Sequence, residues 1–362
     1  MELQTFIHSN PDFISILKKN NFKVQAFKDL KIISHPYEKQ LTFTNDSDYW
    51  KMFCRGAVIN SENKIICLPP VKAIELTDKD YIPEGPLSRV YEHLVDGTMV
   101  NLFYHKDEWI ISTRSEIGGY NKWNNKKSFR TLFDECSTID YDTLDKDCSY
   151  SFVMRHTENR NVSPVKQNDI ILVEVYRYND TEIQRLSKSD YPTNNYTLIE
   201  RNHPECQERG QFMKHYSDPV IPYYRKGFTI KCGSMRYKWI NPYFHEIKNL
   251  KMNTNNHCLN YIELRRNGNL KKYLRYFPEH QHLFDNYREK IHSLSNDLFT
   301  NYKNTFIYKS MDKKDIPYYL KPLVHDIHKI YLKTKQPTQW TDIKQYIHSI
   351  PSKKLQFALN YC

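Results

Sequence analysis

Four cations are of residue types that could grip a polyphosphate. Arg155 closes the apolar run Cys148-Ser149-Tyr150-Ser151-Phe152-Val153-Met154-Arg155. Lys226 opens Lys226-Gly227-Phe228-Thr229-Ile230-Lys231, and Arg236 and Lys238 flank Tyr237. An Arg offers phosphate oxygens a bidentate fork, and a Lys offers a point charge. Arg55, Asn159 and Arg160 add donors of the same kind, and Asp96-Gly97 supplies a carboxylate in a tight turn. Zinc chemistry is not expected, because the eight cysteines are scattered and none forms a CxxC pair.

The elements that must carry these residues follow from periodicity. After Asp96-Gly97, two alternating runs, Met99 to Tyr104 and Trp109 to Thr113, are joined by the polar His105 to Glu108, which predicts a β-hairpin. Strands are expected after Arg55-Gly56, at Ala57 to Ile59, and at Cys148 to Arg155 and Ile170 to Tyr176, with a strand-like piece at Leu41-Thr42-Phe43. Amphipathic helices are expected over Phe6 to Leu17 and Lys126 to Phe133, the latter turning Phe129, Leu132 and Phe133 inward. Residues 179–221 read as loop and irregular structure. From about residue 245 the pattern becomes helical. Leu283, Tyr287, Ile291, Leu294, Leu298 and Tyr302 mark one face of a long helix. Leu320, Leu323, Ile327 and Ile330-Tyr331 mark a second, and Thr341 to Ile350 a third that Pro351 stops.

The 362 residues suffice for two domains. A net charge of +11 and a pI near 9.0 point to nucleic acid or another polyanion as partner. No apolar run approaches ~18 residues, so no membrane partner is expected. Nothing resembles a secretory signal, which predicts a cytoplasmic protein with reduced thiols.

Around Asp96-Gly97 the chain resembles the nucleotidyl-transfer motif of ATP-dependent RNA ligases and mRNA-capping guanylyltransferases, Lys-x-Asp-Gly, in which the lysine attacks the α-phosphate of a nucleotide. Here that position is Leu94, which has no lone pair to attack with. Further segments carry the resemblance. Arg55-Gly56 precedes an apolar strand, and Pro70 and Lys72 match the family's Phe-Pro-Lys segment. Asn159-Arg160 is followed by an apolar strand, and Arg236-Tyr237-Lys238 stands for the family's phosphate-gripping Lys-x-Lys. Two glutamates of the family pattern, one of which helps to hold a divalent metal, are replaced by Arg155 and Lys226. The chain resembles most the RNA-ligase-like proteins of large DNA viruses.

The resemblance implies an α+β fold: an ATP-grasp-like nucleotidyltransferase core of antiparallel sheets with flanking helices over residues 1–245, then an all-helical domain over 246–362. The departures from the family pattern lead to the expectation of a site without catalytic residues, metal or cofactor. The three substitutions Leu94, Arg155 and Lys226 shift the pocket by three positive charges, and a divalent ion beside them would be repelled. The resulting cationic socket (Arg55, Asp96, Arg155, Asn159, Arg160, Lys226, Arg236, Lys238) would hold an RNA 5′ end, phosphorylated or capped. Tyr176, Trp239 and Trp123 are its candidates for stacking on a base, and Glu174 is a candidate acid beside a cationic methylated guanine. The blander readings are that Arg160 pairs with Glu158 or Asp96, that Lys72 and Lys231 are solvated, and that His93 faces away from Leu94. A ligase with displaced chemistry and a structural subunit whose helical domain docks a protein partner are the alternatives.

Overall fold

The computed structural model describes residues 2–35, 46–77, 89–123, 127–179, 182–200, 209–252, 254 and 256–361. Lys126 and the expected strand piece Leu41-Thr42-Phe43 lie outside these residues. The architecture is α+β, with sheets and flanking helices followed by a helical region, as the sequence implied. The chain divides into two compact units, Met1–Glu246 and Ile247–Cys362.

The first unit begins with α1 (Glu2–Ser9) and α2 (Phe13–Lys19), where a single helix was expected. Pro11 lacks the backbone donor a continuous helix would need. The chain turns at Asn10, whose carbonyl accepts from Phe13 N–H at 2.9 Å. Strands β1 (Lys23–Phe27), β2 (Leu30–Ser34), β3 (Ala57–Ile59) and β4 (Ile65–Cys67) then form an antiparallel sheet in that order. Its core joins Leu3, Phe13 and Leu17 of the helices to Ile33, Phe53 and Ile59.

Two further sheets frame the region of interest. Naming the remaining strands along the chain gives β5 (Ile74–Glu75), β6 (Arg89–His93), β7 (Thr98–His105), β8 (Glu108–Ser112), β9 (Cys148–Arg155), β10 (Asp169–Tyr178), β11 (Ile183–Arg185), β12 (Thr197–Leu198), β13 (Gly227–Cys232) and β14 (Met235–Ile240). The larger sheet has the order β11-β10-β9-β7-β8, with β12 added parallel to β10. The smaller has the order β5-β14-β13-β6, with β5 parallel to β14. The expected hairpin is β7–β8, turned by Lys106 and Asp107, both at positive φ, the conformation of a tight two-residue hairpin turn. The Asp96-Gly97 turn does something else: it carries the chain from β6 in the smaller sheet to β7 in the larger one.

Helix α3 (Phe129–Cys136) starts later than the periodicity suggested. Ser128 caps it, its Oγ accepting from Thr131 N–H at 3.2 Å. Leu132 and Phe133 are buried against Phe152 and Leu172, and Phe129 packs alongside. Residues 179–221, expected to be irregular, contain β11, β12 and α4 (Arg209–Ser217). Helix α4 buries only Phe212 and Tyr216, one turn apart, too thin an apolar stripe to stand out in sequence.

In the second unit, α5 (Pro242–Lys251) runs across the division between units, followed by α6 (His257–Arg266), α7 (Leu270–Tyr276), α8 (Gln281–Tyr302), α9 (Lys321–Thr334), α10 (Trp340–Ser349) and α11 (Ser352–Leu359). The α8 stripe buries Ile291, Leu294, Leu298 and Tyr302 as expected, leaves the expected Leu283 and Tyr287 only partly buried, and buries Phe284 as well. Ile330 of α9 is exposed rather than inward. Pro351 ends α10 and also caps the start of α11, a helix the sequence reading missed. Among the described residues no helix is long and apolar enough to cross a membrane.

Candidate nucleotide or RNA 5′-end site

The smaller sheet has two faces of opposite character. Register pairs Thr229 with Lys238 and Glu92, and Lys231 with Arg236 and Val90. Because side chains alternate along a strand, Thr229, Lys231, Arg236, Lys238 and Glu92 share one face. Phe228, Ile230, Trp239 and Tyr91 lie on the other, in an apolar cluster with Phe212 and Tyr216 of α4. His93 is on that far face too, where its Nδ1 meets the Tyr216 hydroxyl, so it points away from Leu94 as expected.

The polar face meets the larger sheet through Lys231. Its ammonium lies 3.0 Å from a Glu92 oxygen and 2.9 Å from a Glu174 oxygen, and it donates to Val173 O at 3.2 Å. All three charged side chains are buried, Glu174 completely. Burial alone would raise the Glu174 carboxyl. Lys231, Arg236 and Arg185 outweigh it and hold Glu174 down at about 2. Tyr176 donates its hydroxyl to Glu174 at 2.9 Å. A bulge between Leu172 and Glu174 turns this carboxylate to the inner face, which alternation alone could not decide. Lys231 is therefore not solvated, and Glu174 is engaged rather than waiting for a cationic base.

At the other end of this face lies the Asp96-Gly97 crossover. Leu94 N–H donates to Gly227 O at 2.9 Å, seating the Leu-Val-Asp-Gly segment against the start of β13. A methyl group on Gly97 would come within 2.5 Å of Met154 O and 2.6 Å of Val153 Cγ1, so only glycine lets the turn approach β9 so closely. Asp96 Oδ2 accepts from the backbone of Val162 (2.9 Å) and Ser163 (3.0 Å), and Oδ1 sits 3.2 Å from Lys226 Nζ. Burial pushes this carboxyl up, but Lys226 and the two N–H groups prevail and keep it below the usual carboxylate range. Asp96 is thus a staple for the loop after Asn159-Arg160. Asn159 donates to Thr98 Oγ1 at 3.0 Å, and Arg160 donates to Val162 O and to the Tyr223 hydroxyl.

The expected excess of positive charge needs correction. Arg155 lies beside the Gly97 turn, but its guanidinium stands 3.7 Å from Asp169, its cross-strand neighbour. Lys226 is matched by Asp96, and Lys238 reaches Glu75 at 2.7 Å. Built-in carboxylates therefore answer three of the four cations. Arg236 makes no such direct ion pair among the described residues, although its charge helps keep Glu174 ionised; it is 9% exposed, and its Nε is buried without a hydrogen-bond partner among those residues. Lys72 is repelled by three neighbouring cations, Arg55, Lys238 and Arg114. Burial first, then these three neighbours, bring the Lys72 ammonium down to about 8. Lys72 is half-buried, not freely solvated.

Around Asp96 the described side chains are poorly suited to a divalent ion. Arg155 and Lys226 occupy two of the positions the resemblance assigns to carboxylates, and Asp96 already serves two N–H groups and an ammonium. Among the described residues no three His, Cys, Asp or Glu side chains gather to hold a metal. The stacking candidates also change. Trp239 lies on the wrong face, 4% exposed and stacked on Phe228 with ring centroids 5.7 Å apart. Tyr176 is on the right strand but is packed into the core of the first sheet. Trp123, on the segment after β8, is 45% exposed.

No protein-family model matches the sequence. The chain is similar to an "Immediate-early protein ICP-46 homolog" of Invertebrate iridescent virus 3, 23% identical over 227 residues. That match covers 58% of this chain and 48% of the relative, so the chain spans about half the length of the curated relative it matches. Solved structures similar to it include a putative ATP-dependent DNA ligase from Aquifex aeolicus, 15% identical, covering 77% of this chain and 76% of that one, with a TM-score of 0.42. They also include an archaeal ATP-dependent RNA ligase, 10% identical, covering 100% and 80%, again with a TM-score of 0.42.

The burial of two charged groups escaped sequence reasoning. Lys231 and Glu92 look like solvent-facing members of alternating strands, and only the packing of one sheet on another makes them partners. The face of Trp239 was legible: alternation from Arg236 and Lys238 puts it on the opposite side.

Proposed function

We propose that this protein binds a phosphorylated or capped RNA 5′ end on a nucleotidyltransferase-like frame, without transferring the nucleotide. The observation that carries this reading is the internal ion pair of Lys226 with Asp96, two residues after Leu94. The position that the family resemblance gives to the attacking amine is aliphatic, and the Lys226 ammonium fills the corner beside Asp96. Arg236, whose Nε has no hydrogen-bond partner among the described residues, is a candidate to bond a phosphate oxygen. Lys72 and Arg55 would add charge close to Lys238. A cap reader of this kind could serve translation initiation or mRNA protection. Calorimetric titration with nucleotides, cap analogues and 5′-triphosphate RNA tests the proposal. Saturable binding that Arg236→Ala abolishes supports it, and no saturable binding to any of them removes it.

One observation favours a second reading, an RNA ligase with displaced chemistry. Lys72, with its ammonium brought down to about 8, has the character of an activated amine. Under that reading, labelled ATP or GTP would leave a covalent adduct that maps to Lys72 and disappears in Lys72→Arg.

A further inference from the structure

The net charge of this protein is not distributed over both units. Ile247–Cys362 contains 20 Lys and Arg against nine Asp and Glu, whereas Met1–Glu246 contains 33 of each. The whole +11 therefore belongs to the helical unit, and the unit holding the candidate pocket is neutral overall. A polyanion approaching the chain is drawn to the helices.

The same unit exposes a cluster of aromatic rings. Tyr318 is 75% exposed, Tyr361 58% and Phe357 40%. They are neighbours: Phe357 and Tyr361 have ring centroids 5.0 Å apart, Tyr318 and Phe357 6.2 Å. Tyr361 also stacks on Tyr319, with planes 13° apart. Lys353 lies one turn before Phe357 on α11, on the same helical face and exposed. Lys313 and Lys314, upstream of Tyr318 in sequence, are exposed but engaged elsewhere, over the Phe306 ring and beside Asp312. Rings left in water with a lysine on the same helical face, in a unit of strong positive charge, suit a ligand with flat apolar faces strung along a charged backbone. That description fits single-stranded nucleic acid, whose bases stack on aromatics while lysines track the phosphates.

We propose that the Tyr318–Phe357–Tyr361 cluster of the helical unit is a stacking platform for single-stranded RNA, independent of the candidate 5′-end pocket. The proposal rests on RNA being the ligand in the reading above, and it adds where the body of the strand is held. The test uses the full chain and a fluorescent single-stranded RNA of about 12 nucleotides, within common site sizes, bearing either a 5′-hydroxyl or a 5′-triphosphate. The 5′-hydroxyl RNA binds, and affinity falls as KCl rises. Phe357→Ala with Tyr361→Ala weakens both RNAs by about 5- to 150-fold, the range for losing one stacked base. Phe357→Tyr, which keeps a ring, retains binding and guards against misfolding as the cause. Lys353→Glu lowers the slope of log affinity against log salt by at least roughly 0.7, one phosphate contact. If the double alanine variant leaves 5′-hydroxyl RNA binding unchanged, or if the patch binds an acidic polypeptide and no RNA, the proposal is overturned. The two readings fail separately. Equal affinity for both RNAs, with both weakened by the double variant, sinks the pocket and keeps the platform. Intact preference for the triphosphate with no effect of the double variant does the reverse.

Discussion

Replacing Lys231 by Met tests the buried ion triad most sharply. The substitution removes the ammonium that lies 3.0 Å from Glu92 and 2.9 Å from Glu174. Breaking a buried pair from one side typically costs ~3–5 kcal/mol, because the remaining charge is stranded. Glu174 gives a second route to the same figure. Its carboxyl is held at about 2, against an ordinary 4.5, and that displacement corresponds to roughly 3 kcal/mol for a fully buried group. The sign with pH follows. In the native protein the depressed carboxyl stabilises the fold above its unfolded value of about 4.5, and that contribution is lost as pH falls toward about 2. Without Lys231, burial dominates and Glu174 rises toward protonation. The variant's deficit is then greatest near neutral pH and shrinks as pH drops through the carboxylate range. Urea unfolding at pH 7 and pH 5, followed by tryptophan fluorescence, measures it; four of the five tryptophans lie in the first unit. Adding Glu174→Gln to Lys231→Met should recover part of the loss. A variant as stable as the parent at pH 7, or a deficit independent of pH, would refute the reasoning.

Three further outcomes are expected. Lys72→Met should stabilise the fold at pH 7. The native Lys72 is charged with difficulty, so the unfolded chain binds the extra proton between about pH 8 and the ordinary lysine value of 10.5. Parent stability therefore rises across that window, and the advantage of the variant fades, as urea midpoints over a pH series would show. Gly97→Ala should cost about 1–3 kcal/mol by forcing a methyl against Met154 O and Val153, seen as a lower unfolding midpoint. Trp239→Ala should cost ~3–5 kcal/mol in stability, while the ratio of affinities for different nucleotide bases in calorimetric titration stays unchanged, because the ring lies on the face away from the pocket.

How far the sequence foretold this molecule depends on the distance over which each feature is decided. The β7–β8 hairpin, β9 and α8 were legible because their apolar periods are long and uninterrupted. The break between α1 and α2 was also written locally, in Asn10-Pro11, but was read through. Helices α4 and α11 are short and bury few side chains, so no period could establish itself. In the site, Asp96 holds the loop that follows Asn159 and Arg160, and its bonds there are to the backbone of Val162 and Ser163. The carboxylates opposite Arg155 and Lys238 are Asp169 and Glu75, supplied by neighbouring strands. Strand register, which no single segment encodes, brought them there. The same limit hid Lys231, whose two partners come from β6 and β10.

The most direct test of the central claim is incubation of the full chain with α-labelled ATP or GTP and magnesium, followed by a denaturing gel, alongside binding of 5′-triphosphate RNA. The account predicts no covalent label on the protein, together with saturable RNA binding that depends on Arg236. A nucleotide that stays attached through denaturation would contradict it.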